Sequence, residues 1–180
     1  MNTNQTVRPS ATLHFDGSCW PSNPDGWTAG GFVLTLPDGR KVEGGEVLRR
    51  PGEKGTNNIA EFFGLILGLK SALAAGVSRL HVYGDSQLAV FIMTGKWRAH
   101  KHHLRSLRDE ALALVRQFQS VQFHWIRRAA NEDADGMAMR AIQLERGQDP
   151  DEARVHELDE ALNRMQYHHR IFDPEVWRVP

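Results

Sequence analysis

Residues 55–73 read GTNNIAEFFGLILGLKSAL, and the reading of this stretch decides the fold. Ile59, Phe62, Phe63, Leu65, Ile66, Leu67 and Leu69 fall on nearly every side of a 3.6-residue period, so the spacing predicts a helix packed on more than one face. Thr56 or Asn57 supplies its cap, and Gly76 stops it after about Ala75. Glu61 is the anomaly. An ionised carboxylate buried without a partner costs several kcal/mol, so Glu61 must reach the rim, pair with a cation or bind a metal. Taken alone, it is expected at the solvated rim in the first helical turn, where the helix dipole favours negative charge.

Outward from this helix the chain alternates between strand and helix patterns. Upstream, ATLHFD (11–16) places Leu13 and Phe15 on one face and Thr12, His14 and Asp16 on the other, a strand closing at the carboxylate. A loop with Pro21, Pro24 and Gly26 follows. Strands over 31–36 and 41–48 then flank the turn Pro37-Asp38-Gly39 as an antiparallel hairpin. Downstream, LHVYGD (80–85) is a fourth strand and Ser86 caps a short helix to about Met93. A helix over 104–118, a fifth strand over 121–126 and a helix capped by Asn131 through about Glu145 complete the body, and 151–165 form a further amphipathic stretch. Three antiparallel strands followed by helix, strand, helices, strand and helix predict an α/β fold, a mixed five-stranded sheet flanked by helices.

Composition fits a globular chain. At 180 residues with 41% hydrophobic and 24% charged, it can bury a full core and is neither disordered nor fibrous. MNTNQTVRPS (1–10) has no apolar segment, and no 18-residue apolar span follows, so neither secretion nor a membrane is expected. The lone Cys19 makes no internal disulfide and suits a reducing cytoplasm, the expected location. Formal net charge is zero, but residues 1–144 carry 17 Lys and Arg against 13 Asp and Glu, and residues 145–180 carry 5 against 9. The acidic tail is a separate electrostatic object and a poor ligand for nucleic acid.

Four acids stand at element boundaries: Asp16 in FDGSC, Glu61 in TNNIAEFFGL, Asp85 in YGDSQL and Asp135 in NEDADGMA. Singly, Asp16 and Asp85 read as turn or cap residues, and Asp135 competes with Glu132 and Asp133 as a first-turn dipole partner. Together, in this order and with these neighbours, they resemble the catalytic domain of type I ribonuclease H over about residues 11–144. The resemblance divides the chain into a flexible N-terminus (1–10), a catalytic domain (11–144) and an acidic C-terminal helical extension (145–180).

The resemblance implies an endonuclease that hydrolyses the RNA strand of RNA–DNA hybrids with two Mg²⁺ ions, Mn²⁺ being the alternative, and leaves a 5′-phosphate and a 3′-hydroxyl. It assigns Asp16 and Asp85 as central metal ligands, with Glu61 and Asp135 completing two coordination spheres. Hard Mg²⁺ takes oxygen ligands, and two such ions stabilise the attacking and leaving oxygens of an in-line displacement. The family pattern puts Asn23, Asn57 and Gln87 in the minor groove, where the 2′-hydroxyl distinguishes RNA, and Thr56 at a DNA phosphate. Their bland alternatives are turn and cap roles.

KWRAHKHHLRSLR (96–108) holds five Lys and Arg and no acid, with Lys96, Trp97 and Arg98 as candidates for phosphate contact; its plainer role is a solvated helix face. His100, His102 and His103 lack a further ligand group and read as chance clustering. The chain has no basic protrusion and no histidine in the loop before Asp135. His124 falls earlier, in the strand, and shorter family members place an arginine in that loop, matched here by Arg128 beside Arg127, for leaving-group or product-release assistance. A monomer is expected, with the tail as the contact should a dimer or protein partner form. The same fold also serves other metal nucleases and strand-transfer enzymes, and a non-catalytic hybrid-binding module is the third reading. TNN before Glu61, DSQ at Asp85 and retention of all four acids favour the hybrid endonuclease.

Overall fold

The computed structural model describes residues 10–147. The amphipathic stretch 151–165, with nearly all of the expected C-terminal extension and residues 1–9, lies outside the described residues.

Strand β1 (Ala11–Trp20) buries Leu13 and Phe15 completely, as the alternation requires. It does not close at Asp16. Strand β2 (Trp27–Thr35) pairs with it antiparallel from Thr12↔Thr35 to Trp20↔Trp27, and this unbroken ladder carries β1 through Gly17, Ser18 and Cys19. Asp16 therefore sits inside a strand, where paired neighbours on both sides fix its backbone. β2 likewise begins at Trp27 rather than Gly31, and β3 (Lys41–Arg49) pairs with it antiparallel. With β4 (Arg79–Gly84) and β5 (Ser120–Trp125) these make one sheet in the order β3-β2-β1-β4-β5, in which β1/β4 and β4/β5 are parallel. This is the mixed five-stranded sheet expected from the sequence, with β1 at its centre.

Helix α1 (Asn57–Ala74) starts where the Thr56 hydroxyl accepts a hydrogen bond from the Ile59 N–H at 3.3 Å. Gly76 ends it at φ +73°, a left-handed conformation that glycine adopts without strain. Helix α2 (Gln87–Met93) is capped by Ser86 as predicted. Helix α3 (His102–Val115) starts and ends earlier than the apolar spacing indicates. Its C-terminus tightens, with the Gln117 and Phe118 N–H groups donating three residues back to Leu114 and Val115, so Phe118 stays buried from a turn. Helix α4 (Glu132–Glu145) closes the described fold, and Arg50 reaches across to Glu145.

Glycines set how close the helices come. A Cβ on Gly30 would lie 2.3 Å from the Gly64 nitrogen in α1, and one on Gly31 would lie 2.3 Å from the Ala138 nitrogen in α4. Consecutive strand residues face opposite sides, so α1 and α4 cover opposite faces of the sheet at near backbone contact. The α1 face carries the main core, including Phe15, Phe32, Phe62, Leu65 and Ile66. None of the helices among the described residues is long and apolar enough to cross a membrane.

Gly64→Ala tests this close approach. Helix propensity alone favours alanine by about 1 kcal/mol, but the new Cβ would lie 2.2 Å from the Asp16 carbonyl oxygen. A net loss of about 1–3 kcal/mol is expected in denaturant unfolding. Gly136→Ala, whose Cβ meets nothing within 4 Å, should instead gain about 0.5–1 kcal/mol. A Gly64→Ala protein as stable as the wild type would show that the two backbones are not in contact.

Candidate active site

Asp16, Glu61 and Asp85 converge from three elements, and one carboxylate oxygen from each lies within 4.8 Å of the others. Asp16 comes from the middle of β1, Glu61 from α1, and Asp85 from the residue after β4. The packing that brings Glu61 here is visible at Gly17, where a Cβ would lie 2.1 Å from both the Ala60 carbonyl carbon and the Glu61 nitrogen. With no side chain between them, a helix carboxylate comes beside a strand carboxylate. Glu61 is not at the rim and not in the first turn: it is the fifth residue of α1 and 5% exposed, and Asp16 is 3% exposed. The burial cost raised by the sequence is therefore present in full.

Asp85 is held from two sides. The exposed Trp125 indole Nε1–H donates to its carbonyl at 2.9 Å, and the Asn131 Nδ2 lies 3.4 Å from its Oδ1. Asn131 does not cap α4 with its side chain as the sequence suggests. Its side chain turns inward, 2% exposed, and Nδ2 donates to the Phe15 carbonyl at 2.9 Å. An asparagine before a helix reads as a cap, and its donation across the sheet has no signal in the sequence. Trp125 was likewise not marked by any local pattern.

Asp135 lies in the first turn of α4, and its Oδ1 accepts from Arg128 Nη2 at 2.6 Å. Its neighbour Asp133 faces Lys41 at 3.5 Å instead, which separates the competing acids of this turn. Arg128 opens a single 3₁₀ turn, Arg128–Ala130, at the edge of the site. His124 lies in β5, its Nε2 3.2 Å from the Nδ1 of His81.

The residues expected to meet substrate come from the loop after β1, the starts of α1 and α2, and the segment after α2. The Asn23 Oδ1 accepts from the Asn57 N–H at 3.1 Å, tying the loop after β1 to the start of α1. Thr56 is occupied as the helix cap, and Gln87 is exposed at the first position of α2. Lys96, Trp97 and Arg98 are exposed after α2, where Trp97 meets Phe91 edge-on at 5.0 Å and the Lys96 Nζ lies 5.1 Å from the same ring. A cleft of about 500 Å³ beside them is lined by Asn58, Leu88, Trp97, Lys101 and Leu104, among others.

Electrostatics set the character of the acid cluster. Burial, then the charge of Asp85 and contact with Asp135, push the Asp16 carboxyl from 3.8 up to about 8. Burial, then Asp16 and Asp85, raise Glu61 well above the usual carboxylate range, against the opposing pull of Arg128. Glu61 Oε2 is buried with no hydrogen-bond partner among the described residues. Three converging carboxylates with an orphaned buried oxygen fit a hard divalent cation, which takes oxygen ligands and would offset their repulsion.

A crystal structure of RNase H1 from Halobacterium salinarum superimposes with a TM-score of 0.68 at 36% identity, covering 74% of this chain and 98% of that one. The chain belongs to the type 1 ribonuclease H family. Residues 14–141 also match the reverse transcriptase-like family. The ribonuclease HI of Halobacterium salinarum is 38% identical over 130 residues, 72% of this chain and 62% of that protein. The N-terminal RNase H domain of Rv2228c from Mycobacterium tuberculosis, solved as a fusion, gives a TM-score of 0.68 at 32% identity, covering 76% and 96%. The full bifunctional Rv2228c protein is 37% identical over 105 residues, so the match spans 57% of this chain but 29% of that relative.

The raised carboxyls make stability depend on pH in a defined direction. Asp16 binds its proton more tightly when folded, so its contribution is complete below about 3.8 and is lost as pH climbs through about 8. In EDTA the melting temperature should fall between about pH 5 and pH 8, and Asp16→Asn should flatten the decline. A melting temperature that climbs steadily over this range would contradict the buried, mutually repelling cluster.

Proposed function

We propose that this chain is an endonuclease that hydrolyses the RNA strand of RNA–DNA hybrids, leaving a 5′-phosphate and a 3′-hydroxyl. One observation carries the reading: three carboxylates from separate elements meet within 4.8 Å, two of them buried. Relatives named ribonuclease HI and RNase H1 support the ribonuclease reading, and the resemblance of the four acid motifs supplies the hybrid as substrate. Asp16 and Asp85 act as the shared central ligands, with Glu61 and Asp135 completing the set for two divalent cations, Mg²⁺ first and Mn²⁺ as the alternative. Two such cations, when bound, supply charge stabilisation to both the attacking and the leaving oxygen.

The chain's own residues do the rest. In the reaction a water oxygen bonds to the scissile phosphorus and gives up one proton, the P–O3′ bond breaks, and the departing 3′-oxygen takes up a proton, so that one water is consumed. Asn23, Asn57 and Gln87 read the hybrid's minor groove, where 2′-hydroxyls mark the RNA strand, and Thr56 meets a DNA phosphate. The bond from the Asn57 backbone N–H to the Asn23 Oδ1 supports this reading, because it fixes the Asn23 side chain against the start of α1, where Asn57 lies. Lys96, Trp97 and Arg98 follow the backbone farther from the acids. Arg128 keeps a permanent positive charge beside Asp135, suited to stabilising the departing strand.

The test is cleavage of an end-labelled RNA–DNA hybrid, beside the same RNA single-stranded and in an RNA duplex, with Mg²⁺, Mn²⁺ or EDTA. Metal-dependent cutting confined to the hybrid's RNA strand is expected. Asp85→Asn should lower it by at least about a thousandfold, or about 4 kcal/mol of transition-state stabilisation, with the fold retained. Undiminished cleavage by that variant would remove the assignment of the acids. For the basic segment, Lys96→Ala/Arg98→Ala should raise KM several-fold at constant kcat. It should also make the salt dependence of binding shallower, by about 1 per lost phosphate contact. An unchanged salt slope would assign these residues to a solvated surface.

A further inference from the structure

We infer that Asn131 is a positioning residue that braces the two strands carrying the central acids, and that metal affinity and turnover depend on its amide N–H groups. The inference rests on the proposed hybrid-cleaving function.

Three observations lead to it. First, one NH₂ group spans both strands: Nδ2 donates to the Phe15 carbonyl at 2.9 Å, next to Asp16 in β1, and lies 3.4 Å from the Oδ1 of Asp85 after β4. Both partners are acceptors, so the orientation of the amide is fixed: a flipped group would set its oxygen against two oxygens. Secondly, the backbone of Asn131 continues the same brace. Its N–H donates to the Arg128 carbonyl at 2.8 Å and its carbonyl accepts from the Asp135 N–H at 3.1 Å. One residue thereby joins the segments bearing Asp16, Asp85, Arg128 and Asp135. Thirdly, the arrangement is not one that stability alone selects. The Asn131 Oδ1 is buried with no hydrogen-bond partner among the described residues, although the side chain is only 2% exposed. A buried acceptor without a donor carries a desolvation cost that an apolar residue of similar size would avoid.

The brace acts on the two central acids. A donor placed between the β1 backbone and the Asp85 carboxylate ties the two strands together and orients Asp85. A ligand set held at its final spacing binds a cation without first reorganising, as outer hydrogen-bond partners of metal ligands do in general. Trp125, which fixes the Asp85 carbonyl, and Asn131, which approaches its carboxylate, restrain the backbone and the side chain of the same residue.

The experiment compares the full chain with Asn131→Leu, which keeps the branched shape and removes every side-chain polar atom, and with Asn131→Ala, which only removes atoms should the larger leucine not pack. Mg²⁺ binding is read by calorimetry on the protein without substrate, beside thermal melts in EDTA and kcat and KM on the hybrid. The expected result is a loss of about 10- to 100-fold in Mg²⁺ affinity and in kcat, with KM for the hybrid near the wild-type value. The melts in EDTA show that each variant is folded and separate a loss of stability from a loss of metal binding. Wild-type Mg²⁺ affinity and kcat in a variant that merely melts lower would overturn the inference and leave Asn131 a packing residue. Failure of the wild-type chain to cut any hybrid would sink the proposed function, and the calorimetric comparison would still decide whether Asn131 braces the acids.

Discussion

Mutual repulsion among three carboxyl groups within 4.8 Å is the constraint to which the rest of the structure answers. In water such a group of charges would disperse at little cost, but here two members are almost fully buried and their separation is set by backbone. Burial and the neighbouring charge of Asp85 hold Asp16 protonated to about pH 8, so the cluster without a cation is a proton-binding site in waiting. The same features that make it unfavourable as a set of anions make it a preorganised set of oxygen ligands. Arg128 pairs with Asp135 beside this group, and its charge opposes the rise of the Glu61 carboxyl.

The frame that imposes this proximity is made of absent side chains. Gly17 lets the backbone of α1 pass at the level of Asp16, and Gly30 and Gly31 admit helices to both faces of β2. Around them the core is ordinary, with large side chains such as Phe15, Phe32 and Phe62 filling the α1 face. Gly17 and Gly64 lie at the level of Asp16, so helix and strand backbones come close where the chemistry is proposed.

Much of this is legible in the sequence, for reasons that differ by residue. The period of 59–69 yields α1, and Thr56 and Gly76 mark its ends, because caps and stops are local chemistry. The five strands and their mixed order follow from alternation and from the sequence of elements. The extension of β1 beyond Asp16 does not, because strand length there is decided by pairing with β2, a non-local ladder. Read from its own helix alone Glu61 is a rim residue, and its place among the acids comes from the resemblance, because the close approach of α1 to β1 at Gly17 and Gly64 is non-local. Asn131 shows the limit most plainly. Its position before α4 matches a cap, yet its side chain serves a contact 116 residues away along the chain.

Placing Asp16 in the central strand has a consequence for how the protein opens. Most sites of chemistry occupy the loosest parts of a fold, where loops and lids exchange their amide protons through small local fluctuations. Here an acid lies on the strand that pairs with β2 on one side and β4 on the other, between helices on both faces. Its neighbouring amides are released only with the cooperative unit that includes β1, β2 and α1. Asp16 therefore has no private unfolding step, and a cation that gathers the acids would tie Asp85 and Asp135, which lie at the ends of their elements, to the strand that opens last.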